Sequence, residues 1–152
     1  LNHPKEAFDA FTAALQAGGP DVNDSTGAKQ LTEQTHLRRA EMGMTIQKYD
    51  EAVKDYEAVL KSSPNNSRAA VGLAMALTGK GESAKAKEQM DALIAKSPSG
   101  PAFYARAMAQ YGLKNIAEAL KDLDQATQAD PANAQRYAMA KAQISGASAP
   151  KQ

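Results

Sequence analysis

The sequence of 152 residues contains no cysteine. Disulfide bonds, thiolate catalysis and cysteine-ligated zinc are therefore excluded, and a reducing or an oxidising compartment would suit the chain equally. Long hydrophobic runs are also missing. None approaches the roughly 20 apolar residues that cross a bilayer, and the opening LNHPKEAFDAF lacks the charged and apolar regions of a signal peptide. These absences predict a soluble protein without membrane insertion, and the abundance of alanine favours a bacterial cytoplasm or periplasm.

The sequence also has no marked excess of positive or of negative charge. The chain has 18 Lys and Arg residues and 17 Asp and Glu residues, which gives a formal net charge of +1, and the two signs are interleaved along the chain rather than grouped in blocks. This balance argues against a nucleic-acid groove or an anionic membrane surface as the main partner. A phosphate-binding loop is missing too, because LTGKGES lacks the leading glycine and the spacing of a Walker sequence. We expect no cofactor.

Catalytic and metal-binding constellations are absent from the pattern. The only histidines, His3 and His36, have no partner at the spacing of a metal site or a catalytic pair, so we expect His36 to have a packing role. Carboxylates that alternate with lysines are expected to form a solvated helix surface. These carboxylates are Asp50, Glu51, Asp55 and Glu57. The sequence therefore predicts that the chain is not an enzyme and holds no metal.

The sequence does contain an internal repeat, in which a small Ala, three residues, a large apolar residue, seven residues and a Pro follow one another. The repeat occurs as Ala52, Tyr56, Pro64, as Ala86, Met90, Pro98 and as Ala119, Leu123, Pro131, so that the prolines stand 34 and then 33 residues apart. Each unit holds two amphipathic stretches separated by the short breaks TIQK, GKGES and LKN. Two short helices cannot bury their shared apolar face alone, so neighbouring units are expected to stack.

This period, the Ala-x3-apolar-x7-Pro spine and the alternating helix pair resemble the tetratricopeptide repeat family over residues 33–133. The resemblance implies an all-α fold: a right-handed α-solenoid of antiparallel helix pairs, with about three and a half repeats and eight helices. We expect one domain over 1–146 and a flexible tail over 147–152. Its parts are a half repeat over 4–17, repeats over 33–66, 67–99 and 100–133, and a capping helix over 134–145. Asp24 or Ser25 is expected to cap the helix that follows the loop 18–27.

The family is mainly a protein-binding scaffold, and the resemblance implies a groove on the concave side, lined by the first helix of each repeat. The predicted groove residues are Leu37, Arg38, Glu41, Met44, Arg68, Val71, Met75, Tyr104, Met108 and Tyr111. Here the two arginines would orient a peptide segment or helix of a partner protein, and Met and Tyr would supply contact area. The alternative for Met75, Met108 and Tyr111 is that they pack against the neighbouring helix. The family's carboxylate clamp of Lys and Asn is not present.

Two other functional readings stay open. The chain could be the noncatalytic part of a larger bacterial enzyme or envelope assembly, in which the unpaired helix 4–17 docks onto residues upstream of Leu1. It could also be an assembly protein that forms a homo-oligomer through its half repeat. That helix would expose Phe8, Phe11 and Leu15 unless a second copy covers them or, as we favour, the helix folds back onto the one that starts near Ser25.

Residues 67–96 are predicted to be the least stable part of the array, because they contain Gly72, Gly79 and Gly81, and glycine costs roughly 1 kcal/mol relative to alanine inside a helix. Amide hydrogen exchange should therefore be faster over 67–96 than over the first and third repeats. Equal protection in all three repeats would contradict this prediction.

Overall fold

The computed structural model describes residues 3–17 and 27–148, and within them the chain forms eight α-helices and no strand. The helices are α1 (Pro4–Gln16), α2 (Gly27–Thr45), α3 (Tyr49–Ser62), α4 (Ser67–Gly79), α5 (Ser83–Lys96), α6 (Gly100–Gly112), α7 (Ile116–Ala129) and α8 (Ala134–Ser148), with a 3-10 turn at Pro131–Asn133. The all-α prediction is confirmed, and the breaks fall where the repeat places them. The predicted caps Asp24 and Ser25 lie outside the described residues, as do 149–152 of the predicted tail.

The chain divides into two compact units, Leu1–Ala76 and Leu77–Gln152. In the first unit α1 packs against α2, and α2 packs against α3. Phe8 of α1 is buried, and the Nζ atom of Lys48 lies 4.5 Å from the centre of its ring. Helix α1 is thus folded onto its own chain.

The second unit has its core between α6, α7 and α8. Ala107 of α6 and Ala119 of α7, the small residue of the third repeat, are completely buried, so the two helices meet at these small residues. Helix α8 covers this core with Tyr137 and Ile144, which stand seven residues apart on one helix face. The last helix therefore closes the apolar core of this unit.

The turns between the two helices of each repeat share a left-handed residue. Gln47, Gly81 and Lys114 have φ of 60°, 93° and 66°, and the next amide in each turn donates to the carbonyl five positions back at 2.8 to 2.9 Å. Glycine is the residue that this conformation favours, so Gly81 carries no helix-interior cost. Of the three glycines behind the predicted weakness of 67–96, only Gly72 lies well inside a helix. A Cβ atom on Gly72 would stand 2.4 Å from the Tyr56 ring.

A buried ion pair links α2 and α3. The guanidinium of Arg39 donates from Nε and Nη2 to the two carboxylate oxygens of Asp55 at 2.8 and 2.7 Å, and Asp55 is only 1% exposed. Nδ1 of His36 lies 2.7 Å from the same carboxylate. The prediction of a solvated surface is therefore wrong for Asp55, and His36 has a polar partner as well as a packing role. The hydrogen bond with Asp55 raises the pKa of Arg39, so this guanidinium stays charged.

The second unit repeats this pair between α6 and α7. Arg106 donates from Nε and Nη2 to Asp122 at 2.8 and 2.6 Å, and its Nη1 also reaches Asp91 of α5 at 2.9 Å. Burial would raise the pKa of Asp91, but hydrogen bonds from Lys87 and Arg106 outweigh it and hold this pKa below its ordinary value. One guanidinium therefore connects three successive helices.

The middle repeat lacks this connection. Leu73 and Gln89 stand 34 residues after Arg39 and Asp55, at the corresponding positions of the repeat. The Oε1 atom of Gln89 is buried and has no hydrogen-bond partner among the residues that the structure describes. A buried acceptor without a donor costs stability. Residues 67–96 thus retain a physical reason to open first, although it differs from the glycine argument.

Replacing Gln47 by Gly should stabilise the protein by about 1 kcal/mol, because a side chain in the left-handed region is strained and glycine is not. The reverse change, Gly81→Gln, should destabilise it by a similar amount. Urea unfolding of both variants measures the two free energies. A neutral Gly81→Gln variant would contradict the assignment of this turn position.

Replacing Arg106 alone by Leu should cost about 3 to 5 kcal/mol, because it leaves the buried Asp122 carboxylate without its partner. The double variant Arg106→Leu/Asp122→Gln copies the middle repeat and should cost clearly less. The exposed pair Lys141 and Asp124 is the control, and Lys141→Gln should cost under about 1 kcal/mol. Urea unfolding of Arg106→Leu, of Asp122→Gln and of the double variant tests this prediction. It would be contradicted if the loss of unfolding free energy in the double variant equalled the sum of the losses in the two single variants.

Candidate partner-binding surface

The predicted groove residues of the first unit lie on α2 and α4 and differ in exposure. Leu37 is buried at 7% exposure, so it belongs to the core and offers little contact area. Arg38 and Arg68 are exposed. The remaining members are half-buried and present part of their side chains: Glu41, Met44, Val71 and Met75.

Two of these residues bind each other. Arg68 of α4 donates to the Oε1 atom of Glu41 of α2, with its Nε at 2.9 Å and its Nη2 also in contact. The Arg68 side chain is 58% exposed, so this ion pair is solvated and contributes little stability. Arg68 is therefore partly neutralised, whereas Arg38 has no ion-pair partner within 3–17 and 27–148.

The predicted groove residues of the second unit all lie on α6. Tyr104, Met108 and Tyr111 are half-buried and pack against the core that α6, α7 and α8 share. Each side chain thus combines a packed part with an exposed part. The two roles weighed for Met108 and Tyr111 are compatible with one another in this geometry.

Beside Tyr104 the second unit carries an open depression of about 710 Å³. Residues of the 3-10 turn and of α8 form most of its lining, which includes Asn133, Gln135, Arg136, Met139 and Gln143. The guanidinium carbon of Arg136 lies 4.6 Å from the centre of the Tyr104 ring, a cation–π distance. Met139 is 67% exposed.

The Tyr104 ring beneath Arg136, here called the aromatic platform, is supported by contacts with Tyr137. The rings of Tyr104 and Tyr137 are 5.7 Å apart, and the Tyr137 hydroxyl donates to Oδ2 of Asp130 at 2.8 Å. Burial, together with this hydrogen bond, raises the pKa of Tyr137 to about 12. Hydrogen bonds from Asn133 and Tyr137 lower the pKa of Asp130. The platform is thus anchored by a neutral phenol and an ionised carboxylate at ordinary pH.

Arg136 and Met139 are not among the groove residues predicted from the sequence, because α8 was expected only to cap the array. A signal for them exists in NAQRYAMAKAQIS. Tyr137 and Ile144 define the buried face of this helix, and Met139 is out of phase with it. An apolar residue opposite the buried stripe of a terminal helix indicates a surface that can make contacts.

Other kinds of site find no support in the part of the chain that the structure describes. No three His, Cys, Asp or Glu side chains converge there in a way that could hold a metal ion. None of the helices in the described ranges combines the length and the apolar character that crossing a bilayer requires.

Family models of the tetratricopeptide repeat match residues 47–111 and 100–133, which together cover more than half of the chain. No curated protein shows significant sequence similarity to it.

Several solved structures share the fold. The tetratricopeptide protein YrrB, described as having an unusual peptide-binding site, is 22% identical with a TM-score of 0.69, over 91% of this chain and 66% of that one. The first tetratricopeptide domain of human RPAP3 is 20% identical with a TM-score of 0.60, over 76% and 96%. The first such repeat of Spaghetti (RPAP3), bound to the HSP90 peptide SRMEEVD, is 23% identical with a TM-score of 0.63, over 77% and 93%. These likenesses confirm the fold class that the sequence predicts.

Proposed function

The chain belongs to the tetratricopeptide repeat family, and from that premise we propose that it is a protein-interaction module that binds a peptide segment or helix of a partner protein. The role is that of a scaffold or adaptor without a catalytic step of its own. The observation that carries the proposal is the set of half-exposed Met, Val and Tyr side chains on the first helices of the repeats.

These side chains suit a peptide ligand for a physical reason. Val71 follows Arg68 by one helical turn in the first unit, and Met75 lies one turn further along the same helix. In the second unit Tyr104 lies beneath the guanidinium of Arg136, and Met108 lies one turn after Tyr104 on α6. Apolar area gives affinity, while a neighbouring cation orients a chain rich in carbonyl and carboxylate oxygens. Met adapts its shape and Tyr has a polar tip, so both tolerate a partly wet contact.

Two of the similar structures support the same class of ligand, since one is described with a peptide-binding site and another holds a bound peptide. By the family resemblance, Leu37, Glu41, Val71 and Met75 correspond to the positions where the carboxylate-clamp subclass has Lys and Asn. The proposed partner is therefore not recognised by that clamp.

Self-association through the half repeat is the weaker alternative. Helix α1 already packs on α2, and Phe8 is buried there beneath Lys48. The face that a second copy would cover is thus largely used within the chain. A role as the noncatalytic portion of a larger bacterial enzyme or envelope assembly is compatible with the peptide-binding proposal.

Met75→Glu in the first unit and Tyr104→Ala in the second should each reduce capture of the physiological partner by about thirtyfold or more, the effect of losing an interface hot spot. Lys54→Glu, on the exposed face of α3, should leave capture intact. Affinity purification followed by mass spectrometry measures capture, and circular dichroism checks the fold. Undiminished capture by both folded variants would overturn the proposed surface.

A further inference from the structure

We infer that the depression between Tyr104 and the outer face of α8 is a binding site for an extended peptide segment in which an internal Glu or Asp is flanked by apolar side chains. This inference rests on the proposed function and assigns its ligand class in the second unit. Arg136 would bind the carboxylate, and Met139 would contact the neighbouring apolar side chain.

The charge of Arg136 is available to a ligand. The ion pairs of the second unit engage Lys80, Lys85, Lys87, Arg106 and Lys141, and no described carboxylate lies within ion-pair distance of Arg136. Asp130, just before the 3-10 turn, is occupied by Asn133 and Tyr137. The lining of the depression contains one arginine and no acidic residue. A guanidinium fixed over an aromatic ring in such surroundings is complementary to a carboxylate.

Met139 gives the site its apolar component. It follows Arg136 by three positions, so the two side chains are neighbours on the same helix face. Its exposure of 67% is the largest among the exposed large hydrophobic residues of the described chain. An apolar side chain next to a carboxylate in a peptide would therefore meet Met139 while the carboxylate meets Arg136.

The outline of the depression favours a segment that passes through rather than a chain terminus. The lining continues on both sides of Arg136, to Ala132 and Asn133 in one direction and to Gln143 in the other. Arg136 and Gln143 are seven helical residues apart, which is about 10 Å or the length of three extended residues. The carboxamides of Gln135 and Gln143 offer hydrogen bonds to the backbone of such a segment.

The test is an NMR titration of the ¹⁵N-labelled full chain with the blocked peptide Ser-Glu-Leu-Glu-Leu-Ser. The expected result is that amide resonances shift at Tyr104 and over 132–143. Twin peptides with Gln or with Lys in place of Glu should bind at least about tenfold more weakly, because they lack the charge-assisted hydrogen bond. A peptide whose only carboxylate is its free C-terminus should also bind weakly.

Matched variants complete the design. Arg136→Gln should weaken binding of the acidic peptide about tenfold or more, Arg136→Lys less, and Met139→Ala severalfold. Lys121→Gln, on an exposed part of α7, is the control for loss of a positive charge and should bind normally. Both changed residues are exposed, and circular dichroism checks that the variants fold.

Three outcomes would overturn the inference: no shifts with the acidic peptide, equal binding of the Glu and Gln peptides, or an Arg136→Gln variant that binds normally. Sedimentation equilibrium supplies a fourth, a dimer of the free chain that Met139→Ala dissociates, because a second copy would then occupy the site. None of these results touches Met75 of the first unit. Failure of this site is therefore distinguishable from failure of the proposed function, which the Met75→Glu variant tests separately.

Discussion

The bidentate contact between an arginine of a first helix and a buried aspartate of the following second helix is the constraint on which each unit depends. Arg39 with Asp55 and Arg106 with Asp122 are hydrogen-bonded through both carboxylate oxygens, and the aspartates are almost fully buried. Such a planar fork admits one rotation and one depth of each helix relative to its neighbour. Apolar packing between alanines alone is less directional. The pair therefore fixes the register in which the first-helix side chains reach the surface.

The same two guanidinium groups also contact a residue of the helix that precedes them in the chain. The Nη1 atom of Arg106 binds Asp91 of the preceding helix, and that of Arg39 lies 3.4 Å from Thr12 of α1. The equivalent contact thus reaches α1, the predicted half repeat, and helps to hold it against α2. Where the middle repeat has Leu73 and Gln89, the guanidinium is absent and the Gln89 acceptor is left without a donor. Stability along a repeat protein follows such local links, so it need not be uniform.

The sequence predicted what depends on local periodicity and not what depends on partners in another helix. The Ala and Pro positions and the breaks near Gln47, Gly81 and Lys114 follow from spacing alone, and the structure has them where expected. Asp55 looked like one carboxylate among lysines, because its partner lies 16 residues away in a different helix. A comparison of the repeats contains the signal, since arginine and aspartate occur together in the first and third and are both absent from the second.

The surface beside α8 was out of reach for a related reason. The 3-10 turn Pro131–Asn133 sets the direction of α8, and this direction determines which side chains of α8 contact Tyr104. A capping helix must bury one face and present a polar face to water. Met139 is an exception to this pattern, because it is an apolar residue on the exposed face of α8. Gln89 is an exception of another kind, because its buried Oε1 atom has no hydrogen-bond donor among the described residues. The buried Gln89 lowers stability and cannot contact a ligand. The exposed Met139 leaves apolar surface beside Arg136, which has no ion-pair partner among the described residues. An exposed exception of this kind is informative about binding, because no packing within the described chain accounts for it.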